Sequence, residues 1–168
     1  MRQLISAVLV LGALTLFPGA AEAQVDDEFE EVGAWLVRVS VDPMTDEETS
    51  FVVMLDDNDT GTMGFRCGES GFELMAITGF VGRDFSVRWR LGDEDPTGWS
   101  SGWGRATSSR AVFATRSDRD QLFAGLPSVR RFTLQVRDQS GLTTLTFSDL
   151  NPADTREALS HLGCAHDR

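Results

Sequence analysis

The sequence has no lysine and no tyrosine, so two kinds of catalytic side chain are absent. Lysine amines form Schiff bases and act in Ser–Lys dyads, and tyrosine phenols act as general bases, so these mechanisms are excluded. All 15 cationic side chains are arginine, which binds carboxylates through a planar fork and stacks on aromatic rings. With 26 acidic residues, the net charge is −11 at pH 7. That charge repels phosphate backbones and anionic membrane surfaces, so we expect no nucleic-acid partner.

Long hydrophobic runs are also scarce, and the single clear one is near the start of the chain. Leu4 to Phe17 is apolar but too short to span a bilayer, Arg2 precedes it, and Ala21-Glu22-Ala23 has the form of a cleavage site. These features predict a signal peptide over residues 1–23, and a periplasmic or secreted protein with no membrane span after signal cleavage. No cysteine lies near the cut, which disfavours a lipoprotein anchor.

The remainder is long enough for one domain with a substantial core. Residues 24–32 are mostly acidic, and we expect them to form a loose N-terminal arm. Residues 33–168 are then predicted to be a single β domain.

Cysteine is nearly absent as well, since Cys67 and Cys164 are the two cysteines of the chain. In an exported protein, two cysteines most simply form one disulfide. This bond would join the middle of the chain to its C-terminal end. The alternatives are a reactive thiol pair or half of a metal site, which the lack of a C-x-x-C spacing disfavours.

Strand signals dominate the rest of the sequence. From Phe85 to Leu91, apolar and polar residues alternate, which is typical of a strand with one buried face. Turn formers follow, and Trp99 begins a second aromatic segment, so we interpret this region as one side of a central hairpin. The other predicted strands are 34–41, 51–55, 62–67, 72–77, 111–115, 131–137 and 142–147.

Two short helices are predicted near the C-terminal end. Ser117 and Asp120 fit a capping box for the first, and Asn151 followed by Pro152 fits the start of the second, which Gly163 would end. The fold class is therefore mainly β: an antiparallel β-sandwich or partly open barrel of about eight short strands, with two short helices and one disulfide.

One motif suggests a serine hydrolase. Gly98-Trp99-Ser100-Ser101-Gly102 has the form G-x-S-x-G, and Asp149 and His161 follow in the order used by α/β-hydrolases. That motif requires a sharp turn from a strand into a helix, and the residues after Ser100 are poor helix formers. We therefore expect no catalytic residue and no enzyme activity, with a hydrolase that uses Ser100 as the alternative.

Two motifs suggest metal ions. Residues 57–61 resemble the start of a calcium loop, but Glu69 lies one residue beyond the spacing of the distal ligand. His161 and His166 could contribute to a zinc site only with further ligands, such as Cys164 and Asp167. We expect a hairpin turn and surface histidines, hence no metal and no cofactor. A calcium-stabilised binding module is the alternative.

Four residues form the candidate binding surface: Arg88, Arg90, Trp99 and Trp103. Both arginines lie on the face of their strand opposite Trp89. Three interpretations are open. The two arginines could be solvated surface charges, or they could form an ion-pair cluster with the acidic turn 93–95. They could also form a ligand site if they face the same groove as Trp99 or Trp103. Arginine combined with aromatic side chains suits anionic or sugar ligands and protein partners.

The order of several short motifs resembles the VasI/TagO-like family of exported proteins associated with type VI secretion. The resemblance covers about residues 33–165 and departs from the family pattern at Gly92 and in the loop 98–104. It implies a periplasmic accessory role and a bonded cysteine pair, and it brings no catalytic residue. Arg90 falls at the arginine of the family's central R-x-D pattern. The motifs are Trp35, the segment Asp42-Pro43-Met44-Thr45-Asp46, Arg66-Cys67, V-x-W-R-L-x-D from Val87 to Asp93, Trp99-Ser100, and F-x-x-L-N from Phe147 to Asn151 before Cys164.

Taken together, the sequence predicts an exported, non-enzymatic binding or accessory protein of the bacterial cell envelope. Its partner would be a protein or an envelope component.

Overall fold

The computed structural model describes residues 29–41, 44–68, 71–79, 81–108 and 110–165. The predicted signal peptide, most of the acidic arm, His166, Asp167 and Glu69 lie outside these residues. None of the helices in the described part has both the length and the apolar composition needed to cross a membrane.

The described residues contain ten strands and two α-helices. The first five strands follow one another along the chain: β1 (Glu30–Val32), β2 (Trp35–Val41), β3 (Glu48–Leu55), β4 (Thr62–Gly68) and β5 (Gly71–Ile77). The others are β6 (Ser86–Leu91), β7 (Gly104–Arg105), β8 (Ala111–Phe113), α1 (Arg116–Gly125), β9 (Phe132–Asp138), β10 (Gly141–Phe147) and α2 (Pro152–Ser160). Short 3₁₀ helices occupy Leu126–Ser128 and Gly163–Ala165.

The strands form two separate antiparallel sheets. The larger sheet has the order β1-β2-β3-β4-β5-β8-β7, and the smaller has the order β10-β9-β6. Apolar residues at every second position of β4, β5, β6 and β9 are buried, which gives each sheet one inward-facing side. These residues form one hydrophobic core together with residues of both helices. The prediction of a mainly β, antiparallel fold of two layers is confirmed.

Two details of the prediction are wrong. Glu30–Val32 pair with β2, so the end of the predicted loose arm belongs to the larger sheet. β6 is an edge strand of the smaller sheet and not part of a central hairpin. The segment that follows the turn after β6 runs antiparallel to β6 and forms a single β-bridge with it, between Val87 and Ser100.

Cys67 and Cys164 form the predicted disulfide, with their Cα atoms 5.8 Å apart and a sequence separation of 97. Cys67 is on the buried face of β4, and Cys164 follows α2. The bond therefore ties the C-terminal end of the described chain to the middle of the larger sheet. Trp35 makes a second connection, because its Nε1 donates to the buried Thr155 hydroxyl of α2 at 3.1 Å.

Candidate functional site: the outer face of the smaller sheet

The outer face of the smaller sheet brings together polar side chains that are distant in sequence. On β6, Val87, Trp89 and Leu91 point into the core, which leaves Arg88 and Arg90 on the outer face. Cross-strand pairing places residues of β9 beside them on the same face. The pairs are Ser86 with Arg137, Arg88 with Gln135, and Arg90 with Thr133.

Trp99 joins this face through the segment that covers the free edge of β6. The Ser100 N–H and C=O bond to the Val87 backbone, both at 2.8 Å, and the Thr97 N–H donates to the Trp89 carbonyl at 2.9 Å. Between these anchors, the Trp99 ring lies against two guanidinium groups. The Arg88 Cζ is 4.5 Å from the ring centroid and the Arg137 Cζ is 4.3 Å from it, both within cation–π range.

We name Arg88, Arg90, Trp99 and Arg137 the Arg–Trp surface. Beside it is a shallow pocket of about 150 Å³, lined by Arg88, Trp89, Arg90, Pro96, Thr133 and Gln135. Gln135 holds the Arg88 side chain in place: its Oε1 accepts from the Arg88 Nε at 2.7 Å. The Gln135 Nε2 in turn donates to the Thr144 hydroxyl at 3.1 Å. This network fixes the Arg88 fork and leaves its terminal amino groups available.

The three guanidiniums of this surface are not neutralised within the described chain. No carboxylate there lies within 4.0 Å of the guanidinium nitrogens of Arg88, Arg90 or Arg137. The ion-pair cluster with the acidic turn 93–95, considered from the sequence, is therefore not formed. In a protein of net charge −11, three clustered cations without an internal counter-ion produce a local positive patch.

Asp138 follows Arg137 in the chain but bonds elsewhere. Its carboxylate accepts from the Ser140 hydroxyl and N–H and from the Gly82 N–H. The Ser140 hydroxyl, followed by the Gly82 N–H, holds the pKa of Asp138 below its ordinary value. Asp138 thus stays ionised to fix the turn between β9 and β10, and does not form an ion pair with Arg137.

Trp103 does not belong to an exposed surface, contrary to the prediction. Its side chain is only 4 % exposed, and its Nε1 donates to the Asp118 carboxylate at 2.8 Å. The Trp89 Nε1 donates to the other oxygen of the same carboxylate at 3.0 Å. Because Asp118 satisfies both indole N–H groups, both rings can be buried at low cost.

Gln135, Arg137 and Asp118 were not among the predicted site residues. Gln135 and Arg137 reach the outer face through the pairing of β9 with β6, whereas Asp118 contacts Trp89 and Trp103 from α1 on the buried side of the sheet. Alternation within β9 could have indicated Gln135 and Arg137 as outward-facing, but nothing in the sequence pairs β9 with β6 in this register.

Ser100 lacks the geometry of a hydrolase nucleophile. It bridges to β6 in extended backbone, and its Oγ accepts from the Gly102 N–H at 3.2 Å. Among the described residues, the next helix after Ser100 is α1, which begins at Arg116. None of its hydrogen bonds in the described chain involves Asp149 or His161, which precede and follow α2.

The calcium-like segment is the predicted turn. The carboxylate of the buried Asp56 accepts from the N–H groups of Thr60 and Gly61, and Asp57 accepts from the Ser148 N–H and hydroxyl. Burial would raise the pKa of Asp56, but the donors of Gly61 and Thr60 outweigh it and hold that pKa below its ordinary value. Across the described residues, no three His, Cys, Asp or Glu side chains are grouped to hold a metal ion.

Comparisons with known proteins show the fold and no family. No family model matches the sequence, and no curated protein sequence is significantly similar to it. The chain is similar in structure to the crystal structure of invasion associated protein B from Bartonella henselae, with a TM-score of 0.52 and 13 % identity. The match covers 79 % of this chain and 95 % of that one. The class defined by fold and site is therefore a disulfide-bonded, two-sheet β protein with a cationic sheet face.

Proposed function

We propose that this chain is an exported, non-enzymatic protein that binds a protein or cell-envelope component through the Arg–Trp surface. The observation that carries the proposal is the contact of Arg88 and Arg137 with the Trp99 ring, with Arg90 on the same sheet face and no internal counter-ion for the three in the described chain. Unpaired arginines beside an aromatic ring are typical of residues that dominate protein interfaces.

The proposed location outside the cytoplasm has two supports. A disulfide that connects distant parts of a small domain persists in oxidising compartments, and cytosolic reductants would open it. The structural neighbour is named for an association with invasion, which agrees with a protein that acts at the bacterial envelope. A link to type VI secretion is a finer proposal that rests on the VasI/TagO-like resemblance alone, and secretion genes adjacent to the coding gene would support it.

Binding can be tested with two variants that change the charge equally. Arg88→Gln/Arg90→Gln/Arg137→Gln removes the cations of the Arg–Trp surface. Arg110→Gln/Arg116→Gln/Arg156→Gln removes three exposed arginines that lie away from the outer face of the smaller sheet. Labelled mature protein is titrated onto isolated envelopes of the source bacterium. We expect the first variant to weaken binding by about tenfold or more, since several charge-assisted contacts are lost, and the second to change it little.

Equal binding by the native protein and the first variant would contradict the proposal. Thermal unfolding of both variants serves as the control, because outward-facing arginines contribute little to folding and the midpoints should remain close to that of the native protein.

The non-enzymatic part of the proposal is tested with Ser100→Ala. Native protein and variant are incubated with a panel of ester and amide substrates. We expect neither to accelerate hydrolysis, because in the described part of the chain no histidine or carboxylate is hydrogen-bonded to Ser100 and no helix begins beside it to stabilise an oxyanion. A measurable activity that disappears in the variant would refute this expectation.

A further inference from the structure

The pocket beside the Arg–Trp surface has the donors needed for a small anion. Arg88 and Arg90 are two residues apart on one face of β6, which places their Cα atoms roughly 7 Å apart. Both arginines line the pocket, together with Thr133 of the neighbouring strand, whose side chain carries a hydroxyl. A group of a few atoms in this pocket can contact both guanidiniums at once.

Arg88 is oriented before any ligand arrives. Its Nε is bonded to Gln135 at 2.7 Å, and its guanidinium lies 4.5 Å from the centre of the Trp99 ring. A fork that is held in place loses little side-chain freedom on binding, so it favours a ligand that accepts two parallel hydrogen bonds.

The donor set favours a carboxylate over a phosphate. Phosphate sites commonly add backbone N–H groups from a helix N-terminus or a glycine-rich loop. Here the lining residues other than Pro96 lie in paired strands, and Pro96 has no N–H. The pocket therefore offers guanidinium forks and a hydroxyl, which match the planar, two-oxygen geometry of a carboxylate.

Trp99 favours a polypeptide over a sugar as the carrier of that carboxylate. Sugar rings commonly bind by stacking on an open aromatic face, but two guanidiniums already lie within 4.5 Å of the Trp99 ring centre. Trp99 therefore holds the arginines, and it is not among the residues that line the pocket, so a sugar bound there would not stack on it.

We propose that this pocket binds a carboxylate side chain in an acidic polypeptide segment of the partner, with Arg88 as the two-point donor and Arg90 as the second cation. This inference rests on the proposed function and adds the chemical class of the partner.

The test is calorimetric titration of the full mature chain at low ionic strength with four probes: oligoglutamate, oligoglutamine of equal length, polygalacturonate and inorganic phosphate. We expect oligoglutamate to bind most tightly and oligoglutamine not to bind. Arg90→Gln should weaken oligoglutamate binding by about tenfold or more, because a charge-assisted contact is lost. Arg88→Lys should also weaken it, since lysine keeps the charge but not the fork. Arg116→Gln is the matched control and should leave binding unchanged.

Each contrary result overturns a stated part of the inference. Absence of oligoglutamate binding, or phosphate binding of equal strength, refutes the carboxylate assignment. Tighter binding of polygalacturonate refutes the polypeptide assignment, and full affinity in Arg90→Gln refutes the pocket. The envelope-binding assay separates this inference from the proposed function. If the native protein binds envelopes and Arg88→Gln/Arg90→Gln/Arg137→Gln does not, the proposed function stands even when the carboxylate ligand is refuted.

Discussion

Single carboxylates hold the loops of this protein by accepting several hydrogen bonds each. Asp118 connects Trp89, Trp103 and the start of α1, Asp138 fixes the turn between β9 and β10, and Asp56 closes the turn between β3 and β4. At Asp138 and Asp56, hydrogen bonds to the ionised carboxylate hold the pKa below its ordinary value. The β9–β10 turn and the β3–β4 turn therefore each depend on the negative charge of one aspartate.

Asp56→Asn should lower the free energy of unfolding by about 1–3 kcal/mol at neutral pH, because two charge-assisted bonds from backbone N–H groups are weakened. The pKa of Asp56 is lower in the folded state than its ordinary value of 3.8, so its contribution is fully present above that pH. The contribution is lost as the pH falls through the folded pKa. Urea unfolding at pH 7 and near pH 3 measures this, and the difference between native protein and variant should shrink in acid. A difference that is independent of pH would contradict it.

The residues of the candidate site could be predicted only where the alternation within a single strand decides whether a side chain faces outward or inward. Alternation along β6 correctly places Arg88 and Arg90 outward and Trp89 inward. The same reasoning cannot assign Arg137, because its contact with Trp99 depends on the register between β6 and β9. The prediction that Trp103 belongs to the binding surface was wrong. Whether an indole in a loop is buried depends on a partner for its N–H, and for Trp103 that partner is Asp118, 15 residues later in the sequence.

At the scale of secondary-structure elements, strong periodicity and clear capping residues were sufficient to predict most strands and α2 from the sequence. Asn151 accepts from the Ala153 N–H, and Pro152 is the first residue of α2, as predicted. β1 and β7 were missed because strands of three and two residues carry too little alternation to recognise. The start of α1 was misplaced, since Thr115 was assigned to a strand and Ser117 to the cap.

Thr115 is the residue that caps α1. Its hydroxyl accepts from the Asp118 N–H at 3.1 Å and donates to the Asp118 carboxylate at 2.8 Å, whereas the Ser117 hydroxyl accepts only from the exposed Gln121 side chain. Thr115→Ala should therefore lower the free energy of unfolding by about 1–2 kcal/mol. Ser117→Ala should change it by less than about 0.5 kcal/mol. Chemical denaturation of both variants checks the assignment, and the reverse order would place the cap at Ser117.

The whole molecule is held together by contacts between parts that are far apart in sequence. The larger sheet is assembled from β1 to β5 in chain order, but α2 and the segment after it return to that sheet from the end of the described chain. Ala158, Leu159 and Leu162 are buried there, so apolar packing holds this segment independently of the disulfide. The covalent bond therefore adds to a docking that already exists.

Cys67→Ser/Cys164→Ser should fold but should have a lower free energy of unfolding than the native protein. Closing a loop of this length reduces the entropy of the unfolded chain, and the chain-entropy model gives a stabilisation of about 5 kcal/mol. The double variant leaves no free thiol, which avoids mispairing. Unfolding in denaturant measures the loss, and the native protein with reductant is the control that should show a similar one. Because the Arg–Trp surface is on the smaller sheet, away from the bond, oligoglutamate should bind the folded double variant as it binds the native protein. An unchanged free energy of unfolding would mean that packing of α2 alone fixes the C-terminal segment, and that the disulfide does not contribute to stability.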